Sequence, residues 1–411
     1  MYKNKKFLLV LTSFILAQFA ISQNNTNSPY TRFGYGDISD NNSGEQRAMG
    51  GVAIGSRSHY IINSINPASY SSVDSMTFMF DIGSSVLASR FSNKTQSNTT
   101  LNSNMEYVTM QFPLSKGVGF SAGLLPYSFT GYKSFSTHTI VSQESDTINY
   151  SKSYAGQGGI SQVYTGISAN LFNHISLGVN AYYMYGNVYN TRSLRIGSSS
   201  DSTIQINSIR ANNFRFRYGV QFYNTFAKKH DLTLGLIFEQ KAKLNGIYTQ
   251  KTYGVITETT ANPDSSAYLP SIYGIGLNYT YNKKLSIGVD YSMQAWKDAK
   301  FFGDSTDLNN RSKLALGLEY QANPAGRKYS DRIRYRAGFN MSNSYFNVNG
   351  VSPQNFGITF GLGLPLRNSN TVLNASFEYG KIGSASLLRE DYFKFTFNAV
   401  FNEHWFFKRK L

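Results

Sequence analysis

Through most of its length the chain alternates, one residue apolar and the next polar or small. From Ile175 to Gly186 the apolar set is Ile175, Leu177, Val179, Ala181, Tyr183 and Tyr185, and the opposite set begins Ser176, Gly178, Asn180. From Leu285 to Gln294, Leu285, Ile287, Val289, Tyr291 and Met293 stand against Ser286, Gly288, Asp290, Ser292 and Gln294. Near the end, Phe393, Phe395, Phe397, Ala399 and Phe401 oppose Lys394, Thr396 and Asn398. A period of two is the period of a strand. Many of these runs reach about ten residues or more, the length of a tilted strand crossing a bilayer, whereas the strands of a soluble sandwich are shorter. The pattern predicts strands near 76–91, 102–113, 117–133, 158–172, 175–193, 209–226, 232–248, 266–281, 284–298, 309–322, 330–344, 353–365, 371–382 and 388–401.

The connections alternate too. Leu114-Ser115-Lys116, Asn173-His174 and Asn282-Lys283 are tight, while 134–157, 194–208 and 249–265 read as long loops rich in Ser, Thr, Asn and Gly. Short periplasmic turns and long outer loops are the asymmetry of an outer-membrane barrel. The expected fold is therefore all-β, a closed antiparallel transmembrane β-barrel of about fourteen strands over 76–411, with both barrel ends on the periplasmic side of a Gram-negative outer membrane.

Composition agrees. The 411 residues are 41% hydrophobic and only 15% charged, with 30 Tyr, 30 Phe and 35 Gly. Aromatic girdles and small residues where strands bend or close are what such a wall uses. The absence of cysteine excludes an N-terminal Cys lipid anchor, disulfides, thiolate metal sites and Cys nucleophiles. The formal charge is +16. Its Lys and Arg are scattered, with no basic block or recognition-helix pattern, so nucleic acid is not an expected partner; anionic headgroups of outer-membrane lipid at the rim are.

Residues 1–22 read as an export signal. A basic stretch with Lys3, Lys5 and Lys6 precedes an apolar run from Phe7 to Ala20, and Ala20-Ile21-Ser22 supplies small residues before Gln23. No later run approaches the ~18 apolar residues of a spanning helix, so a closed barrel is the route by which this chain would cross a membrane.

Residues 23–75 lack sustained alternation but carry the apolar anchors Phe33, Met49, Ile54 and Ile65. They are expected to fold inside the barrel as a plug, with Gly50, Gly51 and Gly55 allowing close packing and Pro67 directing the chain toward the wall. Inward positions of the wall are expected to include Arg215, Arg217, Glu239, Asp290, Glu319, Arg332, Arg334, Arg336, Glu378 and Lys394. These charges can pair with one another, with the plug or with water; a specific anion path is the alternative.

Arg47-Ala48-Met49-Gly50-Gly51, and above all Asn66-Pro67-Ala68 just ahead of the first strand, resemble the FadL-type family of long-chain fatty-acid outer-membrane transporters. The resemblance implies a fourteen-stranded barrel with an N-terminal hatch, and passage of hydrophobic small molecules through a lateral opening at a kinked third strand. Pro126, in Leu125-Pro126-Tyr127 of the expected third strand, cannot donate a ladder hydrogen bond and marks a bulge or break, a candidate lateral gate. The ending Asn402-Glu403-His404-Trp405-Phe406-Phe407-Lys408-Arg409-Lys410 resembles that of FadL-like barrels of Bacteroidota. Some of those are accessory subunits of larger outer-membrane machines for protein export or barrel insertion, which would give this chain outer-membrane or periplasmic protein partners.

His59, His138, His174, His230 and His404 form no metal-ligand spacing, and no nucleophile elbow or phosphate loop is present. Neither an enzyme nor a cofactor is expected. Two functions remain: passive uptake of hydrophobic compounds, or an accessory barrel that binds other proteins. The lumen discriminates them, because a transporter needs a continuous apolar pocket leading to a gap in the wall.

Overall fold

A computed structural model describes residues 25–93, 95–141, 147–172, 174–197, 202–254, 258–261, 267–301, 307–366, 370–384 and 387–404. The expected export signal, Asn173 and the ending from Trp405 onward lie outside the described residues.

The alternating runs form one closed antiparallel barrel of fourteen wall strands. They are β1 (Thr77–Ser92), β2 (Ser97–Ser115), β3 (Val118–Val141), β4 (Thr147–Leu171), β5 (Ile175–Ile196) and β6 (Ser202–Phe226). β7 runs as His230–Glu239 and Ala242–Tyr253, and β8 as Glu258–Ala261, Ala267–Leu269 and Ile272–Tyr281. There follow β9 (Leu285–Gln294), β10 (Arg311–Gln321), β11 (Arg334–Asn343), β12 (Gln354–Pro365), β13 (Val372–Ile382) and β14 (Arg389–His404). β14 closes on β1 from Arg389↔Ser92 to His404↔Thr77.

The amphipathicity is the reverse of a soluble protein's. Ile82, Val86, Leu177, Phe216, Leu277, Val289, Leu316, Ile358 and Phe397 are exposed on the outer face, while Ser85, Gln162, Asn180, Arg217, Gln221, Asp290, Asn374, Thr396 and Asn398 are buried inside. A wall that meets hydrocarbon needs its apolar set outward. The register carries aromatic and aliphatic neighbours across strands, for example Leu285↔Tyr320↔Tyr335↔Leu362, the cross-strand pairs that stabilise a sheet.

The tight turns share one end of the barrel with Thr77 and His404. Asn282 and Lys283, both at positive φ (52° and 55°), close the β8–β9 hairpin. Two left-handed residues give a turn whose twist matches its strands. The opposite, loop end departs from expectation. The supposed loops at 134–157, 194–208 and 249–265 are largely strand: β3 runs on to Val141 and β4 starts at Thr147, β5 ends at Ile196 and β6 starts at Ser202, and β7 reaches Tyr253. Polarity suggested loop, but a ribbon bathed by water on both faces needs no apolar face, and Thr, Tyr and Ile favour extended backbone. β3 to β6 span 22–25 residues against 10–11 for β9 to β11. At ~3.4 Å per residue they project roughly 40 Å farther along their length. Smaller boundary corrections follow local chemistry. The ninth strand stops at Gln294, before the 3-10 turn Trp296–Asp298, and the eleventh begins at Arg334, after a helical turn Tyr329–Arg332.

The N-terminal segment contributes a 3-10 turn (Pro29–Arg32), a two-residue strand (Asp37–Ile38), the helix α1 (Gly44–Ala48) and a second 3-10 turn (Pro67–Ser72). α1 starts with a capping box in which Ser43 and Gln46 satisfy each other's backbone N–H. The segment packs against inward-facing wall residues from β1 to β14.

Because Leu316 sits at the middle of β10 on the outer face, Leu316→Arg is expected to destabilise the barrel by about 2–4 kcal/mol. Urea unfolding in phospholipid vesicles measures this. An effect near zero would mean that this face does not meet lipid.

Candidate functional site at the lumen and the wall seam

The ladder between β2 and β3 runs only from Ser115↔Val118 to Val108↔Leu124. Beyond it, β2 pairs with β1 alone, and β3 pairs with β4. The wall parts at Leu125-Pro126-Tyr127. Pro126 lacks an N–H, and the β3–β4 register shifts between Pro126 and Ser128. Tyr127 is the extra residue and points inward like Leu125; beyond it the inward parity changes to Ser128, Thr130 and Tyr132, all buried. Leu125 packs among Tyr70, Tyr107, Tyr164 and Tyr182.

The N-terminal segment fills this seam. Asp37 and Ile38 pair with Phe129 and Ser128, and Ser39 N–H donates to the Tyr127 carbonyl at 2.9 Å. The Thr31 hydroxyl accepts from Gly131 N–H and donates to its carbonyl. On the β2 side, Asn104 donates to the Asn25 carbonyl at 2.8 Å and Asn27 to Asn102 Oδ1 at 3.2 Å. Behind the seam lies a cavity of about 190 Å³ whose lining includes Asp37, Asp40, Arg47, Glu106, Arg311, Glu378, Glu390 and Lys394. Burial pushes the Asp37 carboxyl up to about 6, against the attraction of Arg311 and Lys394. Burial also acts to raise Asp40, yet Lys313 and Arg311 hold its carboxyl well below the usual carboxylate range.

Ion pairs bolt the segment to the wall. Arg47 of α1 meets Glu106 at 2.7 Å, and Lys394 meets the same carboxylate at 2.6 Å. Glu45 meets Arg336 at 3.0 Å and, more distantly, Arg334 at 3.7 Å, and Arg336 also holds Glu319 at 2.6 Å. Asp40 bridges Lys313 (2.6 Å) and Arg311 (3.1 Å). Asp290 accepts from the backbone N–H of Ala53 and of Ile54, each at 2.6 Å. Arg215 and Arg217 share Glu239 at 2.6 and 2.8 Å. Glu378 accepts from the Tyr392 hydroxyl at 3.0 Å. Arg332 is placed differently from expectation: it lies in the helical turn before β11, beside the Tyr329 ring.

The quoted motifs have local causes. Asn66 caps the Pro67–Ser72 turn: its Oδ1 accepts from Ala68 N–H, and its Nδ2 donates to the Ile54 carbonyl at 2.8 Å. Pro67 occupies the first turn position, where its missing N–H costs nothing. Met49, Gly50 and Gly51 turn the chain out of α1; Gly50 and Gly51 take φ of 68° and 92°. Gly50 N–H donates to Thr359 Oγ1, which itself donates to the Ala48 carbonyl.

Sequence reasoning missed a second feature. Each strand from β5 to β12 presents a glycine where this segment crosses it: Gly178, Gly219, Gly235, Gly276, Gly288, Gly317, Gly338 and Gly361. A Cβ at Gly235 would overlap the Ile54 carbonyl, one at Gly317 would come within 2.5 Å of the Met49 carbonyl oxygen, and one at Gly338 would overlap Gly50 N–H. Several are direct partners across strands, Gly178↔Gly219, Gly235↔Gly276 and Gly288↔Gly317↔Gly338. The signal was present as glycines at inward parity, but only the fold lines them up. Glu45, Asp40, Glu106, Arg311 and Lys313 also escaped the sequence reading, because their partners are distant in the chain.

At the loop end, Tyr35, Trp296, Phe301, Tyr345 and Phe346 form an aromatic cluster across the lumen. Tyr35 meets Phe301 edge-on at 4.7 Å, and Trp296 lies 4.4 Å from Tyr345. Among the described residues no group of His, Cys, Asp or Glu is arranged to hold a metal ion.

A family model described as BamG matches residues 1–411. No curated protein matches the chain. Among solved structures, the CymD monoaromatic hydrocarbon channel is similar with a TM-score of 0.59 at 10% identity, over 90% of this chain and 99% of that one. A Pseudomonas aeruginosa FadL homologue gives 0.60 at 11% identity, over 90% and 100%. The Ralstonia pickettii toluene transporter TbuX gives 0.58 at 13%, over 88% and 98%. At these identities the likeness is one of fold: a FadL-type barrel.

The double substitution Gly235→Ala and Gly338→Ala is expected to lift the segment from its track while the wall still forms, at a cost of about 1–3 kcal/mol per added methyl. Amide hydrogen exchange of residues 49–55 should accelerate strongly. Exchange at the wild-type rate in the folded variant would show that the glycines do not control docking.

Proposed function

The chain belongs to the BamG family, and we propose that it is a non-conducting outer-membrane barrel, an accessory subunit of a larger assembly for protein export or barrel insertion. The observation that supports this reading is the lumen. The N-terminal segment acts as a plug, seated on the glycine track and tied by Arg47–Glu106, Glu45–Arg336 and Asp40–Lys313. The larger cavity left beside it, about 190 Å³, mixes the charged Asp37, Asp40, Arg47, Glu106, Arg311 and Lys394 with the apolar Ile38, Leu87, Phe129 and Phe346, and is smaller than the ~300 Å³ or more of a usual ligand pocket. Withdrawing the plug would separate the buried pairs Arg47–Glu106 and Glu45–Arg336, at roughly 3–5 kcal/mol for each partner left uncompensated. In this reading Arg47, Met49, Gly50, Gly51, Asn66, Pro67 and Ala68 are plug-docking residues. The turn end faces the periplasm, and the partners are outer-membrane or periplasmic proteins.

A second reading, passive uptake of hydrophobic small molecules, is favoured by the seam at Leu125-Pro126-Tyr127 and by the channels of similar fold. In that reading the seam is a lateral gate.

The two readings part in a permeability experiment. The full chain in lipid vesicles is expected to pass neither small ions nor a fluorescent hydrophobic compound, and deletion of residues 24–65 is expected to open it to small ions. Gentle detergent extraction from native outer membranes should recover the wild-type barrel with other proteins. Uptake by wild type that falls in Pro126→Val, with normal surface levels, would reject the accessory reading in favour of the gate.

Orientation has its own check. A protease-accessible tag inserted between Val141 and Thr147 or between Ala261 and Ala267 is expected to be cut on intact cells, and one at Asn173 or Asn282 is not. The reverse pattern would invert the topology.

A further inference from the structure

The projecting part of the wall is open on one side. β3 is paired with β4 out to Val141↔Thr147, but its other edge loses β2 at Leu124. The N-terminal segment covers that edge only as far as Gly131. From Tyr132 to Val141 no other strand among the described residues pairs with it.

The free groups can be assigned. Tyr127 and Gly131 turn their backbone groups toward the seam. Backbone direction alternates along a strand, so residues 133, 135, 137 and 139 present N–H and C=O on the open edge, and the even residues bond to β4. Full closure of a barrel leaves no such edge, and soluble sheets blunt theirs with Pro, bulges or several charges. Here the stretch Lys133-Ser134-Phe135-Ser136-Thr137-His138-Thr139-Ile140 has one Lys, no Pro and no Gly. Lys133, Phe135, Thr137 and Thr139 are exposed.

The projecting sheet has basic arms beside the open edge, with the acids Glu144, Asp146 and Asp201 standing in the links between arms and Glu258 in the farther strand Glu258–Ala261. Its arms 132–141, 147–157, 187–196, 202–212 and 242–253 contain no Asp or Glu, and carry Lys133, Lys152, Arg192, Arg195, Arg210 and Lys251 among their bases. Arg32 and Arg192 lie 4.3 and 5.7 Å from the centre of the Tyr154 ring, on the arm next to the open edge. This is a surface complementary to negative charge.

We propose that the open edge of β3, residues 132–141, is a docking site for an extended acidic segment of a partner protein, which adds to the sheet as one more strand. Backbone bonds to the odd residues supply affinity, and the basic arms select acidic side chains. The inference rests on the accessory-subunit reading and names where a partner attaches.

The test uses the full chain extracted gently from native outer membranes, as wild type, as the double variant Phe135→Pro and Thr137→Pro, and as Lys133→Glu. Proline on an edge position removes a free donor and leaves the β3–β4 ladder intact. Folding of each is checked by heat-modifiable migration, and the single variant Thr139→Pro serves if the double variant misfolds. A photoreactive residue at position 139 is expected to crosslink, in wild type, to an acidic extended segment of a co-purifying protein. The folded proline variant should recover about tenfold less of that protein, and Lys133→Glu should recover less and lose the dependence on salt. Wild-type recovery from the folded proline variant would overturn this inference and leave the accessory reading standing. Absence of any partner on wild type would overturn both, and crosslinks only to lipid or polysaccharide would overturn a protein strand as the occupant.

Discussion

In hydrocarbon every backbone N–H and C=O must find a partner within the protein, because no water is there to supply one. Thirteen of the fourteen wall joints meet this with long ladders; β14 against β1, paired from Arg389 to His404, is one of them. The joint between β2 and β3 does not, since its ladder stops at Val108↔Leu124. A second chain segment must therefore reach the seam. The positions of Thr31, Asp37, Ile38 and Ser39 follow from that need.

The same solvent inverts the placement of charge. With apolar side chains committed to the outer face, the polar set must satisfy itself inside, where an unpaired ion is costly. The N-terminal segment answers with Asp40, Glu45 and Arg47, each opposite wall charges of the other sign. Its backbone is handled separately. Asp290 and Thr359 take up N–H groups at the turns, and the glycines from Gly178 to Gly361 let its peptide groups lie against the wall. Charge matching and steric matching act at the same residues, so the docked position is over-determined.

The fold was legible in the sequence because a strand's period of two survives in any single run: the alternation at Leu285–Gln294 and Phe393–Phe401 marks wall strands at those places. Strand ends at the loop end were not legible. Thr, Ser and Asn in an aqueous ribbon look like loop, and β3 to β6 were read short for that reason. Pro126 marked the bulge, since a missing donor is a local property. How far β2 and β3 separate is a property of register, which one strand alone does not carry. Arg332 was assigned to the wall because an apolar–polar pattern was extended backward through a helical turn. The ion pairs and the glycine track depend on which strands face one segment, and a residue's partner three hundred positions away leaves no local trace.

Closing a seam with a soluble-looking segment also limits what the seam can be used for. The segment covers β3 only to Gly131, close to where a tilted spanning strand of ~10 residues that began at Val118 would leave the hydrocarbon. Above that level water can satisfy the open edge, and the membrane no longer demands a partner. Tyr132–Val141 is thus free to stay unpaired without cost in the isolated barrel, which a strand at bilayer depth is not. An edge that is tolerated alone and still offers a row of free N–H and C=O groups is one whose pairing is decided by what stands beside it in the membrane.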